Sequence, residues 1–338
     1  MQLPTWTADQ AQAFLRAMKS VATQGGGAAL APIEREMLGA LQAHVLHCRI
    51  DLDGLEAIDP ATLAKLVPEP AQRRELVQFA VLMPYLPMEV CAAKVAVVDR
   101  LACALGVATE TVTDLHRVRD HRLRRLAFDY LRRCADGFAP ARTFGGRVKY
   151  FAELVRQYRG EPLLAARYQR LADLPVGTLG RTFHDFYRAR RLPLPGERGS
   201  FTEALVAHDM THILGGYDTD MDGEVEVGAF EAGMVQKPIG WEMLLDAILD
   251  FHCGIAFTTA NAIEPGRGHF HPERALAAYE RGSGCNANLL FDWDWWSVLD
   301  EPVDALRERY GIRAAGGAEI PTPGLDDAPV EPLRATGS

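Results

Sequence analysis

Phe201, Leu205, His208, Asp209 and His212 fall within one arc of about 100° if residues 200 to 215 form a helix. The apolar stripe of that helix therefore continues as imidazole, carboxylate, imidazole. Burying three such groups unpaired would cost several kcal/mol, so the fold must supply something that satisfies them. Ser200 and Glu203 have capping-box spacing and predict the helix start, and Gly215-Gly216 predicts its stop. Glu224 follows His212 after eleven residues, behind a Gly-rich turn that lets it fold back. A bare pair of His at i and i+4 is more often a packing feature. With Asp209 between them and Glu224 added, His208, Asp209, His212 and Glu224 form a donor set suited to one divalent metal, with zinc the leading expectation.

The same stretch imitates a calcium loop. Asp218, Asp220, Asp222 and Gly223 stand at positions 1, 3, 5 and 6 of an EF-hand, but position 12 is Ala229 in place of the bidentate Glu. The acidic turn is therefore expected to cap or solvate itself.

The pattern His-Asp-x-x-His-x(11)-Glu over residues 208 to 224 resembles the signature of the coenzyme Q (ubiquinone) biosynthesis protein four family. The likeness extends upstream to Leu174-Pro-Val-Gly-Thr-Leu-Gly-Arg-Thr-Phe-His-Asp-Phe-Tyr187, with Thr178 and Phe183 where the family pattern has Ser and Tyr. Downstream, Ala277 to Gly282 and Leu306 to Ile312 are similar to its closing segments. The resemblance covers about residues 140 to 313. It implies a prenyl-lipid protein of quinone assembly. The metal would sit beside a polyprenylated hydroxybenzoate-type ring that undergoes oxidative decarboxylation. It implies His208, His212 and Glu224 as ligands and Asp209 as either the fourth ligand or the catalytic base. Expected partners are that quinone precursor or another prenyl lipid, together with other quinone-biosynthesis proteins. Two other classes stay open. One is a non-catalytic prenyl-lipid scaffold for those enzymes. The other is a His-Asp phosphohydrolase, suggested by the second dipeptide His184-Asp185, although the compact motif fits that class less well.

Elsewhere the apolar residues recur at helical spacing and the N-terminal half has no strand-period segment, so an all-α fold is expected. Thr7 and Gln10 predict a capped first helix, and Asp59-Pro60 a short one. Helices are also expected from Pro32, over 71–83 and 88–105, and in one long run from Thr109 to Cys134. Asp136-Gly-Phe-Ala-Pro140 interrupts the stripes. It suggests two helical-bundle domains, 1–135 and 140–313, that fold separately, followed by a disordered tail over 314–338. The first half faintly resembles the tellurite-resistance B helical domains, chiefly over Val95 to Gly106. Its Asp51, Asp53 and Glu56 are read as a solvated loop. Further helices are expected over 144–158 and 178–191, and over Trp241 to Phe257, which is apolar nearly all round. Such a helix is either buried core, the safer reading, or one wall of a prenyl cavity opening towards the metal. Trp293, Trp295 and Trp296 are expected to clamp the C-terminal helix.

The net charge of −9 argues against nonspecific nucleic-acid binding. Six Cys without a C-x-x-C pair fit buried thiols in a reducing compartment. No apolar run is long enough to span a bilayer, and the N-terminus lacks transit-peptide character. A bacterial cytoplasmic protein is expected, peripheral on the inner face of the membrane. The basic run Arg117 to Arg125 reads first as a solvated helix surface, salted by Asp114, Asp120 and Asp129, and second as a docking face for anionic lipid or an acidic partner.

Overall fold

In the computed structural model the described residues are 4–138, 160–200, 203–235, 238–255, 265–291 and 293–313. They form fourteen α-helices joined by turns and short 3₁₀ segments, with no strand among them, so the all-α expectation holds. The expected helix over 144–158 and the tail after 313 lie outside the described residues.

Seven helices precede the junction: α1 (Ala8–Ala22), α2 (Pro32–His44), α3 (Pro60–Leu66), α4 (Pro70–Leu82), α5 (Ala92–Leu105), α6 (Glu110–Arg119) and α7 (Leu123–Phe138). The capping box opens α1 as expected, Thr7 and Gln10 each bonding the other's backbone N–H. Asp59 caps α3 by accepting from the Thr62 N–H at 2.9 Å. The long helix expected after Thr109 is instead two. Asp120 closes α6, and His121 adopts a left-handed φ of 54° before α7 begins. That turn redirects Leu126 and Tyr130 into the core.

After the junction come α8 (Pro162–Gln169), α9 (Leu179–Ala189), α10 (Val206–Gly215), α11 (Met221–Val235), α12 (Pro238–Phe251), α13 (Pro272–Ser283) and α14 (Val303–Tyr310). Helices α11 and α13 cross with their backbones nearly touching. A Cβ at Gly233 would lie 2.1 Å from the Tyr279 carbonyl oxygen, and one at Gly282 would lie 1.9 Å from that of Phe230. Any side chain at either position would force the helices apart.

The two stretches on either side of the junction bury one contiguous set of apolar side chains. Phe79 of α4 meets Trp241 of α12 edge-on at 4.9 Å and Tyr279 of α13 at 5.3 Å. The Tyr279 hydroxyl donates to Glu75 at 2.9 Å. His44 of α2 is held between Glu280 and Glu273 of α13 at 2.7 and 2.8 Å. The His252 ring reaches the Leu86 carbonyl oxygen at 3.0 Å. Sequence periodicity marked each stripe as buried but not what it is buried against.

Candidate metal centre

The helix that carries the motif starts later than its sequence suggests. A 3₁₀ turn over Glu203–Leu205 leads into α10, whose N-cap Leu205 makes no side-chain cap. Ser200 Oγ instead accepts from the Gly196 N–H at 3.1 Å, and Glu203 accepts from the Tyr168 hydroxyl at 3.0 Å. The expected capping box is thus replaced by bonds to the preceding turn and to α8. The predicted stop is correct: Gly216 closes α10 with φ of 76°. Two arginines from the closing segments hold that end. Arg307 donates to the Ile213 and Leu214 carbonyls at 3.0 Å, and Arg281 donates to Gly215 at 2.6 Å. Cations at the last turn of a helix satisfy its free carbonyls and its dipole together.

Glu224 lies in the first turn of α11, where an acid is favoured. Asp220 caps that turn by accepting from the Gly223 N–H at 2.7 Å. The rest of the acidic turn is also engaged. Asp218 pairs with Arg190, and Asp222 accepts from His269 at 2.7 Å and Arg274 at 2.8 Å. His271 stands 3.3 Å from Asp222, so the loop carrying His269 and His271 closes on this turn.

The α10–α11 pair brings His208, His212 and Glu224 together. Their donor atoms lie within 4.8 Å of one another, and no other such group of three exists among the described residues. The two Nε2 atoms are 3.3 Å apart. Glu224 places one oxygen 3.5 Å from His208 Nε2 and the other 3.6 Å from His212 Nε2. A tetrahedral zinc holding two imidazoles at about 2.0–2.1 Å separates their nitrogens by about 3.3 Å, so the spacing fits that ion. The chemistry of the donors agrees. His208 Nδ1 faces Glu231 at 2.9 Å and His212 Nδ1 faces the Tyr217 carbonyl at 3.4 Å. Each Nδ1 then carries the hydrogen, and the two Nε2 lone pairs converge with a carboxylate. A cation between them removes that repulsion.

Electrostatics point the same way. Burial alone would lower the His208 pKa, but Glu231 and Glu224 outweigh it and push it well above the usual histidine range. Burial would raise Glu224, yet the two imidazoles hold its carboxylate far below its ordinary range. A metal cation takes the place of the proton that such a cluster otherwise holds. His212 is 1 % exposed, against 21 % for His208 and 18 % for Glu224, so the cluster is reached from the His208–Glu224 side.

Asp209 stands outside this group. Its Oδ2 accepts from the hydroxyl of Tyr187 on α9, and burial raises its pKa against the pull of His208 and Tyr187. The segment containing Tyr187 is positioned by Gly180, whose N–H reaches the Leu299 carbonyl at 2.8 Å. His184 and Asp185 bond each other at 3.2 Å, and Asp185 takes Arg181 at 2.8 Å, so this second dipeptide forms a salt link apart from the metal group. Asp53 pairs with Arg35, as a solvated loop would.

Glu231 is the participant that the sequence reading missed. It is fully buried, bonded to His208 and to the Thr211 hydroxyl at 2.6 Å. Its signal was an acid inside the apolar run Val225 to Met234, seven residues after Glu224 and so on the same helix face.

The helix read as core or as one wall of a prenyl cavity is core. Trp241, Leu244, Leu245, Ile248 and Leu249 of α12 are all buried. The space beside Leu245 and Leu249 measures about 10 Å³, room for about one water, and none of the metal-site residues lines it. Residues 256 and 257 of that expected helix lie outside the described residues. Trp293 does clamp the C-terminal helix, donating to the Tyr310 hydroxyl at 3.1 Å, while Trp296 packs on Tyr168 at 4.9 Å.

No family model matches the chain. The chain is 27 % identical over 155 residues to the mitochondrial ubiquinone biosynthesis protein COQ4 of Eremothecium gossypii. That match covers 43 % of this chain and spans only 44 % of the length of that curated relative. A crystal structure of a candidate ubiquinone biosynthesis protein from Nostoc punctiforme is 22 % identical and covers 70 % of this chain and 98 % of its own. Its TM-score is 0.30, too low for the likeness of shape to carry an argument. The chain is thus similar in sequence to a ubiquinone biosynthesis protein of the coenzyme Q biosynthesis protein four family, and His208, His212 and Glu224 meet in one partly buried group.

Proposed function

We propose that this protein acts in ubiquinone biosynthesis as a metal-dependent enzyme on a polyprenylated hydroxybenzoate-type ring. The observation that carries the reading is the convergence of His208, His212 and Glu224 at spacing that suits a tetrahedral metal, in a chain similar in sequence to a ubiquinone biosynthesis protein. The donor set suits zinc or another borderline first-row cation. Such a cation would supply a Lewis acid that holds a ring oxygen or carboxylate and stabilises charge as carbon dioxide leaves. Replacing a ring carboxylate by a hydroxyl is a two-electron oxidation, so the reaction also consumes an external oxidant such as dioxygen. His208 and His212 would hold the cation through their Nε2 atoms, with Glu231 and the Tyr217 carbonyl fixing the imidazole tautomers. Asp209, anchored by Tyr187, is the carboxylate beside the ligands that would handle the proton.

Contact with a membrane surface would bring such a precursor within reach. No helix among the described residues is long and apolar enough to cross a bilayer. The outer face of α7 offers a peripheral contact instead, since Arg124, Arg125 and Arg132 are exposed around Phe128, itself 69 % exposed. Each basic residue at an anionic surface is worth about 1 kcal/mol.

The test is turnover. Purified metal-loaded protein, given a carboxylated prenylated precursor and dioxygen, should release carbon dioxide and yield the hydroxylated ring by mass spectrometry. Asp209→Asn should abolish turnover while the fold and metal content persist. If the wild type binds the lipid tightly but never turns it over, the protein is a prenyl-lipid scaffold instead.

A further inference from the structure

We infer that Glu231 is a positioning and charge-balancing residue for the metal centre, a role that rests on the metal reading of His208, His212 and Glu224. Three observations converge on it. Its Oε1 lies 2.9 Å from His208 Nδ1, so it fixes the tautomer that leaves Nε2 free for a metal. The Thr211 hydroxyl lies 2.6 Å from the same oxygen and comes from the motif helix itself. The carboxylate is fully buried, and its Oε2 has no hydrogen-bond partner.

Glu75 also buries an oxygen without a partner, so it is the contact with His208 that sets Glu231 apart. A buried carboxylate kept for stability would be expected to satisfy both oxygens, through an arginine or several N–H groups. Among the described residues Glu231 has none of these. Its two hydrogen-bond contacts both come from α10, and one of them is the His208 ring, whose other nitrogen faces the metal position. Thr211 holds a single hydroxyl hydrogen, and the His208 carbonyl at 2.7 Å competes for it. The negative carboxylate is the stronger acceptor.

The charge count completes the argument. A divalent cation on two neutral imidazoles and the Glu224 carboxylate leaves one positive charge in a largely buried site. Glu231, one imidazole away, offsets it together with the Asp209 carboxylate beside the ligands. Uncompensated charge in such a place is costly, and a carboxylate behind a histidine also makes that histidine a stronger donor. Glu224 and Glu231 share one face of α11, so the helix delivers a ligand and its counter-charge together.

Two substitutions separate the charge from the orientation. Glu231→Gln keeps an acceptor for His208 and removes the charge, whereas Glu231→Leu removes both. Zinc affinity is measured by chelator competition on the full chain. Glu231→Gln should weaken it about 10-fold and Glu231→Leu towards 100-fold. The cobalt(II)-substituted Leu variant should show a shifted d–d spectrum as the His208 ring reorients. The metal-free melting temperature of each variant reports on the fold separately. Should either variant fail to fold, Thr211→Val takes its place, with a smaller loss of affinity expected. Zinc affinity and cobalt spectrum equal to wild type in every folded variant would overturn the role of Glu231 and leave the metal reading standing. A wild-type chain that binds neither zinc nor cobalt would overturn both.

Discussion

Tyr187 donates its hydroxyl hydrogen to Oδ2 of Asp209, so this half-buried motif carboxylate is engaged from α9 and not from the metal group. A hydrogen bond to a charged group is worth about 1.5–3 kcal/mol. Tyr187→Phe should therefore lower the unfolding free energy by about 2 kcal/mol in chemical denaturation. It should leave metal content at one per chain. Loss of metal in that variant would identify Asp209 as a fourth ligand whose orientation depends on Tyr187.

One tightly held divalent metal per chain is expected by elemental analysis of protein never exposed to chelator. His208→Ala, His212→Ala and Glu224→Gln should each remove or severely weaken it. Asp218→Asn and Asp220→Asn should not, because Asp218 is paired with Arg190 and Asp220 caps α11. The Asp220 change should cost about 1 kcal/mol of stability as a lost cap. Micromolar calcium binding abolished by Asp218→Asn would instead revive the EF-hand reading of the turn.

Much of this site was legible because ligand chemistry constrains spacing. Two His at i and i+4 must share a face, and a Gly-rich turn lets Glu224 return to them. The start of α10 was misread because Ser200 and Glu203 have the right spacing for a cap but find other partners across the chain. Glu231 was missed because a carboxylate behind a ligand needs no fixed motif, only a shared helix face. The packing of α4 on α12 and α13 was illegible for a simpler reason. Periodicity shows that Phe79 and Trp241 are each buried and says nothing of their meeting.

Glu75 should make stability fall as pH rises. Burial lifts its pKa from 4.5 to about 7, against the hydrogen bond donated by Tyr279. An acid whose folded pKa is raised is fully tolerated below its unfolded pKa. It then destabilises the fold progressively between the two values and by a constant amount above the folded one. At about 1.4 kcal/mol per pH unit, the penalty approaches about 3 kcal/mol above pH 7. Glu75→Gln should remove this slope between pH 4.5 and 7 and raise the melting temperature at pH 8. Parallel pH–stability curves for wild type and variant would refute the assignment.

The last prediction concerns the junction. Separate folding would require each half to cover its own core, and the described helices share theirs. A chain starting at about residue 139 would expose the faces of Trp241 and Tyr279 that pack on Phe79. It would also leave Glu280 without His44 and His252 without the Leu86 carbonyl. Each large apolar side chain returned to water costs about 1.5–3 kcal/mol, and aromatic pairs add about 0.5–1.5 kcal/mol. Against a total stability of about 5–15 kcal/mol, a few such losses suffice to unfold a fragment. The fragment alone should be insoluble or non-cooperative in thermal melts and hold no metal. Residues 1–138 added in trans should restore both the transition and the metal. A fragment that is monomeric, melts cooperatively and keeps its metal would show that α10 and α11 need no support from α4, and that the Phe79 contacts join two independent units.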